Sequence, residues 1–322
     1  MIRIYKYIAI GVIIAFTILS IIAYILPSTD DLSPYNTLWN GLSFFATRFQ
    51  ARIITFRDLH QIDPKTSSVF IIGLNKRLTD IDLELLVRFI HFGGIVIIAD
   101  ETLLGNVLID NLGIDIAIDK GPIADNLYMY KSIYFPKAFV KVGKENLTLL
   151  LNYASYIRVS NSSKDCVAYT SFFSFIDLNI DGAKQIDEPY GPFCVVYMKK
   201  IIEGIVYVIS DSSIFINSMI DLEDNAVFIQ RLIKNRIVYV IYESESVSPY
   251  TLFREKILSM YALVFGTWLR YPIAIIAIYQ IYRVVKVLKS RRTLRKPIIQ
   301  GIQKLKINDL EDFIQRIGEE IE

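Results

Sequence analysis

The chain has 322 residues, a formal net charge of +2 and a hydrophobic content of 53%. This near-neutral balance lacks the excess of basic residues that nucleic-acid binding requires, so we expect no nucleic acid as a partner. The hydrophobic content, with a mean hydropathy of +0.39, is high for a soluble protein and indicates membrane segments.

Residues 7–26 form an uncharged run that is long enough to cross a bilayer, because helical residues rise about 1.5 Å each and the bilayer core is roughly 30 Å thick. Arg3 and Lys6 precede the run, and acidic residues follow it. The positive-inside rule therefore predicts a cytoplasmic N-terminus at residues 1–6 and an exit from the cell at Pro27. A cleaved signal peptide is the alternative, although no small-x-small cleavage site follows the run.

A second apolar stretch, residues 257–285, predicts a helix that enters and spans the membrane. The Lys- and Arg-rich tail at residues 286–322 predicts a cytoplasmic C-terminus that includes an amphipathic helix. Arg270 lies either within the membrane, where it would be functional, or near the outer interface, where its side chain would reach water. We therefore expect a two-pass plasma-membrane protein in contact with the lipid bilayer, with residues 27–256 as an extracellular domain.

The extracellular domain carries alternating helix and strand signals, which are typical of an α/β sheet. The predicted helices cover residues 36–49, 79–92, 103–112 and 226–234, and the predicted strands cover residues 53–56, 69–74, 95–99, 114–118, 204–210 and 237–242. Between them, residues 128–201 are rich in Tyr, Phe, Val and Ser and predict a β-rich insertion. The fold prediction is a doubly wound, mostly parallel sheet with this insertion, flanked by two transmembrane helices.

The clearest local signals surround the helix predicted at residues 79–92. Thr79 and Asp82 have the spacing of a capping box, which starts a helix. Gly93 and Gly94 predict its end, because glycine adopts a left-handed C-cap at little cost. The unbroken apolar run that follows predicts a strand covered on both faces.

Acidic residues come directly after two of the predicted strands. Asp100 and Glu101 follow the strand at residues 95–99, and Asp211 follows the strand at residues 204–210. The carboxyl ends of parallel strands meet at one edge of a sheet, so these carboxylates can converge there. Neighbouring hydroxyl and amide groups come from Ser212, Ser213 and Asn217. Two interpretations stay open: the cluster binds a ligand or performs acid–base chemistry, or the same side chains cap the helices that follow.

The sequence lacks the common motifs of nucleophilic serine, nucleotide-binding and zinc sites. It contains no Gly-x-Ser-x-Gly elbow and no glycine-rich nucleotide motif. His60 and His91 are the only histidines, and neither has a neighbouring cysteine that would indicate a zinc site. We therefore expect no catalytic residue, no cofactor and no metal ion.

Two features fit an extracellular location. Cys166 and Cys194 are the only cysteines, and each lies in a strand-like run, so they either form a disulfide or remain free thiols. Asn146 and Asn161 begin Asn-x-Ser/Thr triplets, which are acceptors for N-glycosylation.

Several stretches together resemble a known family. They are NTLWNGLSFFATRF, ARIITFRDL, LTDIDLELLVRFIHFGGIVIIADE and GIVYVISDSSIFINSMIDLEDNAVFIQRLI, with a final span closed by KSRR. The chain resembles the prokaryotic membrane proteins of domain of unknown function 4350, whose external part is similar to class I glutamine amidotransferases. The resemblance implies MoxR-type AAA+ ATPases and von Willebrand A-like membrane proteins as partners. Amidotransferases use a nucleophilic Cys on a strand-to-helix turn, whereas residues 99–102 contain none.

Two functions follow as hypotheses. The first is a non-enzymatic, membrane-anchored binding or scaffold protein whose external domain binds a partner or a cell-surface ligand. The second is a hydrolase that uses Asp100, Glu101 and Asp211 on surface glycans or peptides.

Overall fold

A computed structural model describes residues 2–26, 28–142, 145–159, 165–243 and 248–268. Beyond these it describes only the short pieces 270–272, 274–276, 278–280, 282–283, 285–286, 310–312 and 314–316. The chain divides into two units, Met1–Glu255 and Lys256–Glu322. The first unit contains the sheets and the sites considered below.

The α-helices and β-strands have the following bounds. The helices are α1 (Ile2–Ile25), α2 (Ser43–Arg48), α3 (Asp80–His91), α4 (Leu103–Asn111), α5 (Asn225–Ile233) and α6 (Pro249–Gly266). The strands are β1 (Arg52–Ile54), β2 (Ser67–Ile72), β3 (Ile95–Ala99), β4 (Ile116–Asp119), β5 (Ile123–Asp125), β6 (Met129–Tyr130), β7 (Ser132–Val142), β8 (Glu145–Leu150), β9 (Tyr156–Val159), β10 (Cys166–Thr170), β11 (Ser174–Ile176), β12 (Cys194–Ile201), β13 (Gly204–Ile209) and β14 (Ile237–Ile241).

The main sheet is mixed. Its principal strand order is β1-β14-β2-β3-β13-β12-β10-β7-β6, with β8 beside β7 and the pair β4–β9 attached through β12. The strands from β1 to β13 in this order are parallel, and every pairing from β13–β12 onward is antiparallel. Strands β5 and β11 form a separate two-stranded sheet.

The prediction of a doubly wound, mostly parallel sheet with a β-rich insertion is therefore wrong. Antiparallel pairings outnumber parallel ones among the described strands. The β-rich region does not form a separate insertion, because β12 pairs with β13 from Val196–Ile209 to Ile201–Gly204 and so continues the same sheet. Local hydrophobic patterns do not specify such long-range pairings.

The organising helix and strand occur as predicted. Helix α3 begins after Thr79, whose side chain and that of Asp82 form both bonds of a capping box. Gly93 follows the helix with φ +98°, a conformation that glycine adopts readily. All five residues of β3 are buried. Alternate side chains of β3 therefore contribute to the two hydrophobic clusters that cover the faces of the sheet.

The helix predicted at residues 36–49 is wrong over its first half, because only Ser43–Arg48 is helical. The Oδ1 of Asn36 accepts the N–H of Leu38 at 2.8 Å, and its Nδ2 donates to the carbonyl of Asp30 at 2.9 Å. A Cβ at Gly41 would lie 1.9 Å from the carbonyl oxygen of Asn36. These side-chain bonds stabilise turns in place of a helix.

The predicted membrane topology is also contradicted. Within the described residues, no helix is both long and apolar enough to cross a membrane. Helix α6 ends at Gly266, inside the second predicted span, and residues 267–285 are described only in part. Helix α1 covers most of the first predicted span, but it too does not qualify as a helix that could cross a membrane. The predictions of two transmembrane helices and of a two-pass plasma-membrane location with both termini in the cytoplasm are therefore wrong.

The basic tail lies almost wholly outside the described residues. Of the amphipathic helix predicted near the C-terminus, only residues 310–312 and 314–316 are described, and these are helical.

Candidate functional site

Asp100 lies directly after β3 and is fully buried. Its Oδ1 accepts the N–H of Thr102 at 2.8 Å, and its Oδ2 accepts the Thr102 hydroxyl at 2.9 Å. The N–H of Gly105 donates to the same carboxylate. Thr102 is the N-cap of α4, because its hydroxyl oxygen accepts the N–H of Leu104. Asp100 therefore holds the first turn of α4 against the end of β3.

Asp211 has the same kind of role after β13. It is 1% exposed and is the N-cap of the short 3₁₀ helix Ser212–Phe215. Its Oδ1 accepts the N–H of Ser213 at 2.7 Å, and its Oδ2 accepts the N–H of Asn152 at 2.8 Å. Asp211 thus fixes both the start of this helix and the turn that follows β8.

Glu101 joins the two strand ends. Its Oε1 accepts the hydroxyl of Ser212 and its Oε2 accepts the N–H of the same residue, each at 3.0 Å. The contact is possible because β3 and β13 are parallel neighbours whose last residues, Ala99 and Ile209, are partners in register. The structure therefore brings Asp100, Glu101 and Asp211 to one edge of the sheet, together with Ser212 and Ser213.

The two buried acids have raised pKa values. Burial is the largest cause, and it raises the pKa of Asp100 to about 6 and that of Asp211 to about 8. The negative charge of Glu101 adds to both increases, whereas the hydrogen bonds they accept oppose them. Asp211 is therefore largely protonated at neutral pH. A raised pKa suits a general acid, but the oxygens of both side chains already accept hydrogen bonds that shape the backbone.

Asn217 belongs to a different part of the molecule. Its Oδ1 accepts the N–H of Phe44 at 2.8 Å, and its Nδ2 donates to the carbonyls of Asn36 and Leu38 at 3.1 Å and 2.6 Å. It attaches the segment before α2, and the first turn of α2, to the segment after the 3₁₀ helix Ser212–Phe215, and it does not join the carboxylates.

A cleft of about 220 Å³ opens at the carboxyl ends of β2, β3 and β14. Its acidic lining comes from Asp31, Glu101 and Glu243. Glu243 accepts the N–H of Phe56 at 2.8 Å and forms an ion pair with Lys76. Of the three carboxylates considered from the sequence, Glu101 lines this cleft and the two buried aspartates do not.

Cys166 and Cys194 are joined by a disulfide, with Cα atoms 6.0 Å apart. The bond links the neighbouring antiparallel strands β10 and β12. Asn146 is exposed in β8, and Asn161 lies outside the described residues.

The histidines contribute no site within the described residues. His60 is exposed, and its Nδ1 bonds to the carbonyl of Arg57. His91 is exposed in the last turn of α3.

An exposed aromatic surface is a feature that sequence interpretation missed. Tyr128 contacts Phe139 edge-on at 5.5 Å between ring centroids and Phe173 at 6.3 Å. These side chains are 41%, 39% and 57% exposed, and the adjacent Phe172 is 77% exposed. We call these four residues the aromatic surface. The adjacent phenylalanines in TSFFSF are its sequence signal, because strict alternation would bury one of them.

Buried Asp125 positions the loops that carry this surface. Its Oδ1 accepts the N–H groups of Leu127 and Tyr128, each at 2.8 Å. Its Oδ2 accepts the hydroxyl of Ser171, and the oxygen of that hydroxyl accepts the N–H of Phe173 at 3.0 Å. One carboxylate thereby fixes the loop after β5 and the loop before β11.

Comparisons with known proteins identify no family. No family model matches the chain, and no curated protein matches it. The resemblance to domain of unknown function 4350 is not tested by these findings and stays a prediction.

Solved structures offer distant similarities. A structure titled mmIFT52 N-terminal domain is 16% identical with a TM-score of 0.41, covering 56% of this chain and 80% of that one. The exo-β-1,4-mannosidase Op5Man5 from Opitutaceae bacterium strain TAV5 is 9% identical with a TM-score of 0.28. The match covers 52% of this chain and 23% of the mannosidase. A β-galactosidase from Bacillus circulans sp. alkalophilus is 13% identical with a TM-score of 0.29. The match covers 51% of this chain and 23% of the β-galactosidase. TM-scores this low decide neither fold nor function.

Proposed function

We propose that this chain is a non-enzymatic binding protein that holds a protein partner on the aromatic surface. The supporting observation is that Tyr128 contacts both Phe139 and Phe173 while all three remain 39–57% exposed, beside a Phe172 that is 77% exposed. Contiguous apolar side chains on a protein surface mark interaction sites. Aromatic residues are also enriched at the centres of protein interfaces, where they supply much of the binding energy.

The hydrogen bonds that hold the loops of the aromatic surface fit a binding role. Asp125 and Ser171 hold the two aromatic loops through hydrogen bonds to their backbone. A loop that is already ordered loses little conformational entropy when a partner binds. The aromatic surface therefore meets a partner at a low ordering cost.

The alternative, a carboxylate-dependent hydrolase, has less support. An acid and a base must reach the substrate, but Asp100 and Asp211 are buried and accept hydrogen bonds on both oxygens. Glu101 is exposed, and both of its oxygens accept hydrogen bonds from Ser212. A role in fixing the conformation of the segments around them explains every hydrogen bond that these carboxylates accept.

The experiment compares captured proteins between matched variants. Tagged full-length protein is expressed in its native cells, cross-linked and purified. The surface variant carries Phe172→Ser and Phe173→Ser. Its control carries Phe44→Ser and Phe92→Ser, which remove two phenylalanines of 51% and 57% exposure elsewhere on the chain.

We expect a protein that wild type and control retain equally and that the surface variant retains at least about tenfold less, which corresponds to about 1.4 kcal/mol. MoxR-type ATPases and von Willebrand A-like proteins, implied by the family resemblance, are the first partners to look for. Equal retention by the surface variant and the control would contradict the proposal.

A further inference from the structure

Residues 177–188 contain a sequence pattern that the binding function does not explain. Asp177, Asn179, Asp181, Gly182 and Glu188 occupy positions 1, 3, 5, 6 and 12 of this twelve-residue segment. The order Asp-x-Asn-x-Asp-Gly, followed by five residues and Glu, is that of the EF-hand calcium loop. In such loops these positions supply oxygen ligands, and the glycine allows a sharp turn.

The first and last carboxylates of the segment hold its turn closed. Asp177 accepts the N–H groups of Asp181 and Gly182 at 3.2 Å and 2.8 Å. Glu188 accepts the N–H of Leu178 on Oε1 and the N–H of Gln185 on Oε2, each at 2.8 Å. Gly182 has φ +79°, which disfavours other residues at this position.

The burial of charge is a separate observation, and it points to a cation. Asp177 is fully buried and Glu188 is 4% exposed. Within the described residues, neither forms an ion pair with Lys, Arg or His. Burying a carboxylate without a counter-charge is unfavourable, and buried charges in proteins are usually paired or bound to metals.

Asp177 is also held from outside the segment. The hydroxyl of Tyr134 donates to its Oδ2 at 2.6 Å. The carboxylate at the first position is therefore fixed beside the turn that would enclose an ion.

We propose that residues 177–188 bind a calcium ion. Oxygen ligands come from Asp177, Asn179, Asp181 and Glu188, and from the carbonyl of Ala183 at position 7. Calcium fits better than magnesium, because a mixed set of carboxylate, amide and carbonyl oxygens suits its flexible coordination.

Binding requires a local rearrangement of side chains. Among the described residues, no three His, Cys, Asp or Glu side chains are arranged as a ready-made metal site. The Oδ2 of Asp181 accepts the amide N–H groups of Asn179 and Gln185, each at 2.9 Å. These exposed amides must turn so that oxygen, and not N–H, faces the ion. The segment follows β11 and lacks the flanking helices of an EF-hand, so we expect affinity in the weak range of about 10⁻⁴–10⁻³ M.

The test uses the full-length protein after treatment with EDTA and measures heat of binding and melting temperature with calcium chloride and magnesium chloride, each up to about 5 mM, above the range of weak sites. Asp181→Ala removes an exposed ligand. Asp187→Ala removes an exposed carboxylate at position 11, which is not a ligand position, and is the matched control. Glu188→Gln is the second ligand variant, with its fold checked by circular dichroism.

We expect one calcium ion per chain in wild type and in Asp187→Ala, at least tenfold weaker binding in Asp181→Ala, and weaker binding of magnesium than of calcium. No binding by wild type, equal losses in Asp181→Ala and Asp187→Ala, or equal affinity for the two metals would overturn the proposal. If Glu188→Gln is folded and binds calcium like wild type, the proposal also fails. These outcomes do not depend on the aromatic surface, so each proposal can fail without the other.

Discussion

The carboxylate of Glu101 accepts both hydrogen bonds that Ser212 can donate, from the N–H and from the hydroxyl, each at 3.0 Å. This pair ties the segment after β3 to the helix after β13. It also places the negative charge of Glu101 near Asp100 and Asp211, where it contributes to the raised pKa of both. One side chain therefore influences both the geometry and the protonation of this edge of the sheet.

The first prediction tests that pair. Glu101→Gln should lower the free energy of unfolding by about 1–2 kcal/mol, because the amide offers one acceptor oxygen where Ser212 needs two. Urea unfolding followed by circular dichroism measures the change. Glu84→Gln, at an exposed position of α3, is the control and should stay within about 0.5 kcal/mol of wild type. Equal stability of the two variants would contradict the structural role of Glu101.

The second prediction concerns pH. The pKa of Asp211 is about 8 in the folded protein, against an ordinary value of 3.8. Between these values the folded protein retains a proton that the unfolded chain releases. The free energy of unfolding should therefore fall as pH rises through this window, by up to about 1.4 kcal/mol per pH unit, and level off above pH 8. Asp100 adds to the fall only up to about pH 6.

Asp211→Asn removes the titrating group and should flatten the dependence. Urea unfolding at about pH 5, 6, 7 and 8 gives the slope for both proteins, and the slopes are compared because Asn also changes the hydrogen bonding. An identical slope in the variant would show that Asp211 does not titrate as stated.

A third prediction concerns a buried amide in the same unit. Asn225 is fully buried, accepts the N–H of Leu150 at 3.0 Å, and donates to the carbonyls of Leu150 and Met219 at 3.1 Å and 3.0 Å. Asn225→Ala leaves three backbone groups without these partners and should cost about 2–4 kcal/mol of stability. Asn111→Ala removes an exposed amide that donates to Val107, and its cost in the same denaturation assay should stay below about 1 kcal/mol. A similar loss of stability in Asn225→Ala and Asn111→Ala would contradict the structural role of Asn225.

The local signals around α3 and β3 could be predicted from the sequence, because they depend on neighbouring residues. The capping box of Thr79 and Asp82, and the end of the helix at Gly93, are confirmed. The membrane topology could not be predicted from apolar runs alone. The mixed sheet could not be predicted because the pairing of β12 with β13 depends on contacts between strands that local patterns leave open.

The candidate site shows the same division. Capping by Asp100 and Asp211 was one of two interpretations available from the sequence, and these side chains do bond to the turns that follow. The partners that are distant in sequence could not be predicted. Asp211 accepts a hydrogen bond from Asn152, which is 59 residues away, and Glu101 accepts one from Ser212, which is 111 residues away. The calcium-loop pattern of residues 177–188 is a local signal that sequence interpretation missed.

A fourth prediction concerns the disulfide. Cys166 and Cys194 are separated by 28 residues, and a closed loop of this size stabilises a protein by about 3.5 kcal/mol in the chain-entropy model. Guanidinium unfolding with and without dithiothreitol should show that loss. The variant with Cys166→Ser and Cys194→Ser should match the reduced protein and should not respond to dithiothreitol. An unchanged midpoint on reduction would contradict the prediction.

The affinity of purified full-length protein for the partner identified by capture tests the central claim most directly. Titration calorimetry compares wild type, the variant with Phe172→Ser and Phe173→Ser, the control with Phe44→Ser and Phe92→Ser, and Glu101→Gln. We expect the aromatic variant to bind at least about tenfold more weakly and the other two to stay within about twofold of wild type, since each tenfold corresponds to about 1.4 kcal/mol. Loss of binding in Glu101→Gln with full binding by the aromatic variant would contradict this account.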